Sequence, residues 1–426
     1  MALWSWALYD FANSAFTTLV VTFIYSTWFT KAMATTEARG TALWGRGIAV
    51  SSILIALLAP AVGAAADRRA RRRLYLSGLT AGTILATALL AFVPPPHALV
   101  ALALFCAANV LYELALSLYN GFLPGLAPDG RGAGRLSGLA WGFGYVGGLL
   151  CLVVGLVMVK LPWLDGPGGF KYRATNLLVA GWYLVFALPA LLFLPEPAPP
   201  DPEATWKVSR IAGTVARLAR YRQALRLLVA RLIYNDGIVA VFSFGGIYAA
   251  NEFGFSFEEI LWFGITLNVA AGAGSFLFAF VDERFGGRVT VLTTLAGLTA
   301  ATALAVVADS KAALWVAGVA IGLLVGPNQS ASRSLMSRFV PRSAAGEFFG
   351  LYAFSGKLTS FAAPLLLSQL TGWTGSHRIG VASVIAFFAA GGLLLWRVDE
   401  EEGRNFAVRC QAEFERAAAD PLTSRR

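Results

Sequence analysis

The 426-residue chain is poor in charge and in metal-binding side chains. Only 14% of its residues are Asp, Glu, Lys or Arg, against about 25% in soluble domains. With 57% hydrophobic residues and a mean hydropathy of +0.65, the chain carries more apolar surface than a globular core can hide. A water-soluble domain is excluded. There are two histidines, His97 and His377, both at the edges of expected loops. The three cysteines, Cys106, Cys151 and Cys410, show neither pairing nor metal-ligand spacing. No metal, haem or other cofactor is therefore expected. The shortage of histidine also argues against a membrane-embedded enzyme, which usually needs His or paired acids near one interface. Short alternating segments are missing, which excludes a barrel. No basic leader or clean cleavage site precedes the first apolar run, which carries Asp10 and Asn13, so this run is expected to remain as a helix.

What the chain does have is a series of apolar runs, each about 20 residues long, the length that spans a bilayer. They lie near 4–30, 42–66, 74–93, 98–121, 137–159, 175–194, 226–249, 258–281, 289–308, 312–335, 348–371 and 377–397. The reading is an all-α membrane protein of twelve transmembrane helices in two pseudo-symmetric six-helix bundles. One bundle spans 1–194 and the other 226–398. Between them, residues 195–225 open on the stiff Pro195–Pro202 stretch. They continue into an amphipathic helix over Trp206–Arg226, in which Val208, Ile211, Val215 and Leu218 recur at helical spacing. Residues 399–426 form a charged cytoplasmic tail.

The net charge of +10 does not mark a nucleic-acid partner, because the basic residues lie between apolar runs instead of forming one stripe. They set topology. With the N-terminus inside, the inward loops and tail hold roughly 25 of the 34 basic residues, and both termini are cytoplasmic. The densest cluster follows the second run, where five arginines fall within Asp67–Arg73. A bacterial inner membrane is the expected location, and a monomer the expected state.

The halves carry a faint internal repeat. Tyr9-Asp10-Phe11 matches Tyr234-Asn235-Asp236. The Asp67 loop matches Asp282–Arg288. Gly138-Leu139 with Gly144 matches Gly350-Leu351 with Gly356.

Polar groups in hydrocarbon cost several kcal/mol unless paired or wetted, so the intramembrane polar residues are the candidate site. Helix 1 offers Asp10, Asn13 and Ser14 on one face, helix 4 Asn109, Tyr112, Glu113 and Asn120, and helix 5 Trp141 and Tyr145. Helix 7 offers Tyr234, Asn235 and Asp236, helix 8 Asn268, helix 10 Asn328, Gln329 and Arg333, and helix 11 Tyr352 and Lys357. Asp236 and Lys357 each lie roughly ten residues in from the inner face, near the midplane at about 1.5 Å per residue. They are expected to line a central cavity, Lys357 holding a substrate carboxylate and Asp236 an ammonium group or Lys357 itself. Asn235, Tyr234, Asn13, Tyr145, Trp141, Asn328, Gln329 and Tyr352 complete the expected substrate site. Asp10 and Glu113, closer to the inner face, are candidates for proton coupling, since apolar surroundings favour a protonated carboxyl.

Structural readings stand beside these. Asp236–Lys357 could be an ion pair between the halves, Asp10 with Asn13 a brace, and Arg333 a side chain snorkelling to the interface. Helix 5 carries Gly138, Gly142, Gly144, Gly147 and Gly148, and small residues four apart permit close helix contact.

Gly63-x-x-x-Asp67-Arg68 resembles the loop between the second and third helices of major facilitator transporters, with Ala70 where that family usually has glycine. The segments Trp6–Phe16, Tyr234–Gly237, Gln329–Leu335, Glu347–Tyr352 and Ser355–Lys357 are similar to one branch of that superfamily. The branch comprises the bacterial "unknown major facilitator" family and the fungal autophagy-related vacuolar amino-acid effluxers, and the likeness runs from Trp4 to about Glu400. It implies a secondary transporter working by alternating access on a small, amino-acid-like zwitterion, with no chemical step. It also implies gating by Asp67, Arg68, Arg71, Asp282 and Arg284, whose contacts would form and break as the halves rock. Efflux of drugs or lipids on the same fold, and a receptor or scaffold role, remain the other readings.

Overall fold

The computed structural model describes residues 1–128, 130–196 and 218–419. Of the expected amphipathic helix over Trp206–Arg226, the part up to residue 217 lies outside the described residues, and Arg222–Arg226 open α7. The first bundle contains α1 (Ala2–Ala32), α2 (Glu37–Arg68), α3 (Arg72–Leu90), α4 (Ala98–Asn120), α5 (Ala133–Val159) and α6 (Phe170–Phe193). The second contains α7 (Arg222–Phe253), α8 (Phe257–Phe285), α9 (Gly287–Val307), α10 (Lys311–Phe339), α11 (Ala345–Leu358 and Ala362–Thr374) and α12 (His377–Leu395). Eleven of these helices are long and apolar enough to cross a bilayer. The twelfth crossing, α11, is broken.

Two of the expected continuous helices are interrupted. In α1 the α-helical segments Ala2–Ala15 and Tyr25–Ala32 flank a π-helical stretch, Phe16–Phe23. In α11 the chain leaves the helix at Thr359 and re-enters at Ala362. Pro364 explains this second break. Its ring clashes with a helical carbonyl four residues back, at Ser360, and it brings no N–H, so it is best accommodated in the first turn of a new helix, although Pro60, Pro189 and Pro327 lie inside unbroken helices.

Each bundle has its own apolar core. Trp6, Phe16, Phe105 and Tyr183 belong to the first, and Leu227, Leu295, Leu335 and Phe388 to the second. Large apolar side chains such as Ile53, Leu85, Val157, Val185, Leu277 and Leu393 point outward. A belt of this kind suits lipid, whereas water would penalise it.

The bundles meet along two seams, α2 against α11 and α5 against α8. Small residues let the backbones approach. A Cβ on Gly350 would lie 2.5 Å from the Ala59 carbonyl oxygen, and one on Gly138 would lie 2.5 Å from Ala279 Cβ. Gly142 faces α8 as well, against Phe276, whereas Gly147 abuts the Phe11 carbonyl and Gly148 the Thr18 hydroxyl of α1 on the other side.

The tail from Glu400 to Ala419 forms a further helix, α13, that packs on α7 and α10. Its Glu400 carboxylate accepts from the Gly287 and Arg288 amides at the start of α9. An acid at a helix N-terminus is favourable there.

Candidate functional site

The face of the bundle carrying the Arg68–Arg73 cluster is the basic face. There the two loop acids each pair with a buried arginine of their own bundle, and Asp67 itself or Asp282's neighbour Glu283 reaches across the seam. Asp67, at the C-terminal end of α2, is buried, pairs with Arg72 and accepts from the Glu347 amide at 2.8 Å, at the start of α11. Arg72 reaches onward to the Gly121 carbonyl (2.6 Å) and, across the seam, to the Arg342 carbonyl (3.1 Å). At the other seam Asp282, near the end of α8, pairs with Arg338 at 2.9 Å and accepts from Ser334. Its neighbour Glu283 accepts from the Gly132 and Arg135 amides, at the start of α5, at 2.7 and 3.4 Å. In both seams a carboxylate at the end of one helix meets the amide-rich start of a helix from the opposite bundle. Helix dipoles make this attraction favourable.

The expected gating arginines are not the engaged ones. Arg68, Arg71 and Arg284 are exposed, whereas Arg72 and Arg338 are buried against the acids. Arg338 also pairs with Glu400 of α13 at 2.6 Å.

Deeper in, Arg333 does not snorkel. It is fully buried and donates to Asp10 Oδ2 (2.8 Å), Asn120 Oδ1 (3.2 Å), Ser137 Oγ (2.9 Å) and the Ser137 carbonyl (2.8 Å). Its guanidinium lies 4.7 Å from the Trp6 ring centre and 4.8 Å from that of Trp141. A residue of α10 thus fastens α1, α4 and α5 of the opposite bundle. The planar, multidentate guanidinium suits this task in a way that lysine does not.

Above this bolt lies a cavity of about 330 Å3, within the size range of small-molecule sites. Its polar wall comprises Asp10, Asn13, Ser14, Thr17, Thr18, Thr22, Tyr112, Glu113, Trp141, Tyr145 and Asn268. Phe23, Leu116, Leu149 and Phe242 supply apolar patches. From Asp10 to Thr22 the cavity follows α1 for about 18 Å toward the face opposite the arginines.

Lys357 does not pair with Asp236. It forms a 2.7 Å ion pair with Glu113, across the bundles, and both side chains are half-buried. Asp236 is buried and lies beside the break in α11, 3.2 Å from the Thr359 hydroxyl. Several other candidates also face elsewhere than the cavity. Tyr234 bonds Ser332 at 2.7 Å, and Asn328 donates to Thr294 at 3.0 Å. Gln329 donates to Asn235, and Tyr352 lies under Arg231, with 3.7 Å from guanidinium to ring centre. Asn13, Trp141 and Tyr145 do line the cavity, with Asn13 accepting from Tyr112.

Residues 1–408 match the family described as vacuole effluxer Atg22 like. The chain belongs to this Atg22-like family. An uncharacterized MFS-type transporter, YxiO, of Bacillus subtilis is 26% identical over 93% of this chain and 94% of its own length. Autophagy-related protein 22 of Cryptococcus neoformans is 26% identical over 64% of this chain, which spans about half of that protein. The fold is that of the human organic anion transporter MFSD10, with a TM-score of 0.75, 16% identity and coverage of 92% of this chain and 98% of that one. The Atg22-like chain is therefore a multi-pass membrane transporter of the major facilitator superfamily and not an enzyme.

Sequence reasoning missed Thr17, Thr18 and Thr22 in this Atg22-like cavity. The signal was present, because Asp10, Ser14, Thr18 and Thr22 recur every four residues and so share a helix face. It also missed Ser137 and Glu283. Nothing in the local pattern distinguishes these from ordinary surface polar residues.

Proposed function

We propose that this chain moves a small zwitterionic, amino-acid-like solute by alternating access, with Glu113 and Lys357 as the two poles of its site. One observation carries the reading: an acid of one bundle and a base of the other meet at 2.7 Å beside the cavity. A zwitterion satisfies both groups when they part, its ammonium on Glu113 and its carboxylate on Lys357. Glu113 thus takes the ammonium-binding role first expected of Asp236. The apolar patch of Phe23, Leu149 and Phe242 receives the solute side chain.

The positive-inside rule supports a cytoplasmic basic face and cytoplasmic termini, and the bacterial relative supports placement in a bacterial cytoplasmic membrane. On this orientation the bolted seams seal the cytoplasmic side, and the structure is the outward-facing state of an exporter that works as a monomer. Protonation of Asp10 would remove the anion that holds Arg333, so this acid couples protons to opening.

The test is flux of labelled amino acids, sugars and nucleosides in proteoliposomes, at several pH values. Amino acids are expected to move, and Lys357→Ala and Glu113→Gln to lose at least 100-fold in rate while still inserting and folding. Normal flux by Lys357→Ala would remove that residue from the site. Transport confined to uncharged sugars would overturn the zwitterion reading. A pH-independent rate would dispose of coupling through Asp10.

A further inference from the structure

The break in α11 falls two residues after Lys357, and several of the polar groups it frees meet partners. The chain between the two helical pieces is Thr359-Ser360-Phe361. A broken helix leaves carbonyls at one end and amides at the other without intrahelical partners, and buried groups of this kind need partners. On the carbonyl side, Asn235 donates to Gly356 O at 3.2 Å, Ser360 to Lys357 O at 3.1 Å, and the Ala362 amide to Thr359 O at 2.7 Å. On the amide side stands Asp236, whose carboxylate accepts from the Thr359 hydroxyl at 3.2 Å and lies near the Ala363 amide. Thr359 is also tied to α7 through the Leu232 carbonyl, at 2.9 Å.

Two consecutive residues of α7 are thus divided between the two sides of one break. Asn235 holds the end of the first piece of α11, and Asp236 caps the start of the second. A carboxylate is well matched to the positive end of a helix piece. None of the ion pairs found among the described residues uses Asp236.

We propose that Asp236 is a positioning residue. By capping the second piece of α11 it fixes where the helix stops, and so aims Lys357 across the seam at Glu113. This rests on the reading of Lys357 as a pole of the substrate site for its importance to transport. The positioning itself stands or falls on geometry alone. In this role Asp236 does not touch the solute.

A zero-length carbodiimide cross-link on the purified full chain reads this directly. The reagent activates a carboxylate, a neighbouring lysine amine displaces the activating group as a urea, and an amide bond remains. Glu113–Lys357 is expected to cross-link in the native chain and to be found as a joined peptide by mass spectrometry. Lys311–Glu259, an exposed pair at 2.8 Å far from the break, provides the reference yield. Asp236→Ala is expected to lower the Glu113–Lys357 yield at least fivefold relative to that reference. Asp236→Asn, which keeps an acceptor oxygen, is expected to restore most of it. Thr359→Val removes one hydroxyl and threatens folding least, with an expected loss of two- to threefold.

Unchanged Glu113–Lys357 yield in Asp236→Ala and Thr359→Val would overturn the proposal. So would a loss in Asp236→Asn as deep as in Asp236→Ala, since charge and not capping geometry would then be the cause. If the cross-links behave as expected but Lys357→Ala transports normally, the positioning survives and the assignment of Lys357 to the solute fails.

Discussion

Arg333 shows how one side chain turns two bundles into one closed molecule. Among the described residues its charge is paired only with Asp10, and removing one partner of a buried pair costs about 3–5 kcal/mol because the other charge stays behind. Asp10→Asn is therefore expected to lower the melting temperature in detergent strongly, and Arg333→Gln similarly. The double variant should recover part of the loss, because neither buried charge remains. A double variant as unstable as the sum of the two singles would mean that Asp10 and Arg333 contribute independently. Such a pair was only half legible in the sequence. Depth along a helix can be counted from its ends, and counting places Asp236 and Lys357 near one level. It does not give azimuth. Asp236 stands one residue beyond Asn235, a rotation of about 100°, and faces the break in α11. Glu113, reckoned to lie nearer the inner face, is the group Lys357 meets. For the same reason Arg68 and Arg71 looked equivalent to Arg72, although only Arg72 turns inward onto Asp67.

Whole helices were far more legible, because length and apolarity suffice to find a membrane crossing. Missed were the interruptions. Pro364 accompanies the gap in α11, but Pro60, Pro189 and Pro327 lie inside unbroken helices, so proline alone does not mark a gap, and a sliding count of apolar residues runs straight over it. The glycines of α5 were read correctly as contact points, and the structure divides them by face, Gly138 and Gly142 toward α8, Gly147 and Gly148 toward α1. This division predicts unequal effects. Gly138→Val adds atoms where even a Cβ meets Ala279 at 2.5 Å. Overpacking typically costs 1–3 kcal/mol, about 2 here, and it acts on a seam between bundles, so it should disfavour closure of the basic face. Gly181→Ala in α6 enters open space and should leave closure unchanged, with at most a small rise in melting temperature from helix propensity. Equal behaviour of the two variants would show that the seam is looser than the helix spacing indicates.

At the scale of the whole molecule the question is whether the two seams open together. The Asp67 seam and the Glu283 seam are related by the internal repeat, and each joins a helix end of one bundle to a helix start of the other. If the bundles rock as rigid bodies, both seams report one equilibrium between closed and open, and a change at either shifts both. Spin labels at exposed or half-exposed positions flanking the seams, Arg68 with Arg342 and Arg131 with Arg284, can follow each separation in a background lacking Cys106, Cys151 and Cys410. Asp67→Asn removes a charge from a helix start, worth about 1 kcal/mol, which shifts the open population roughly fivefold. Glu283→Gln should do the same. Rigid rocking requires each single variant to lengthen both label distances, and the double variant to shift the equilibrium by the sum of the two free energies, about 25-fold. Should Asp67→Asn lengthen only the Arg68–Arg342 distance, and Glu283→Gln only the Arg131–Arg284 distance, the seams would be separate latches. Alternating access in this chain would then proceed by bending of α11 and its partners, at breaks such as the one Asp236 caps, instead of by the turning of one intact bundle against the other.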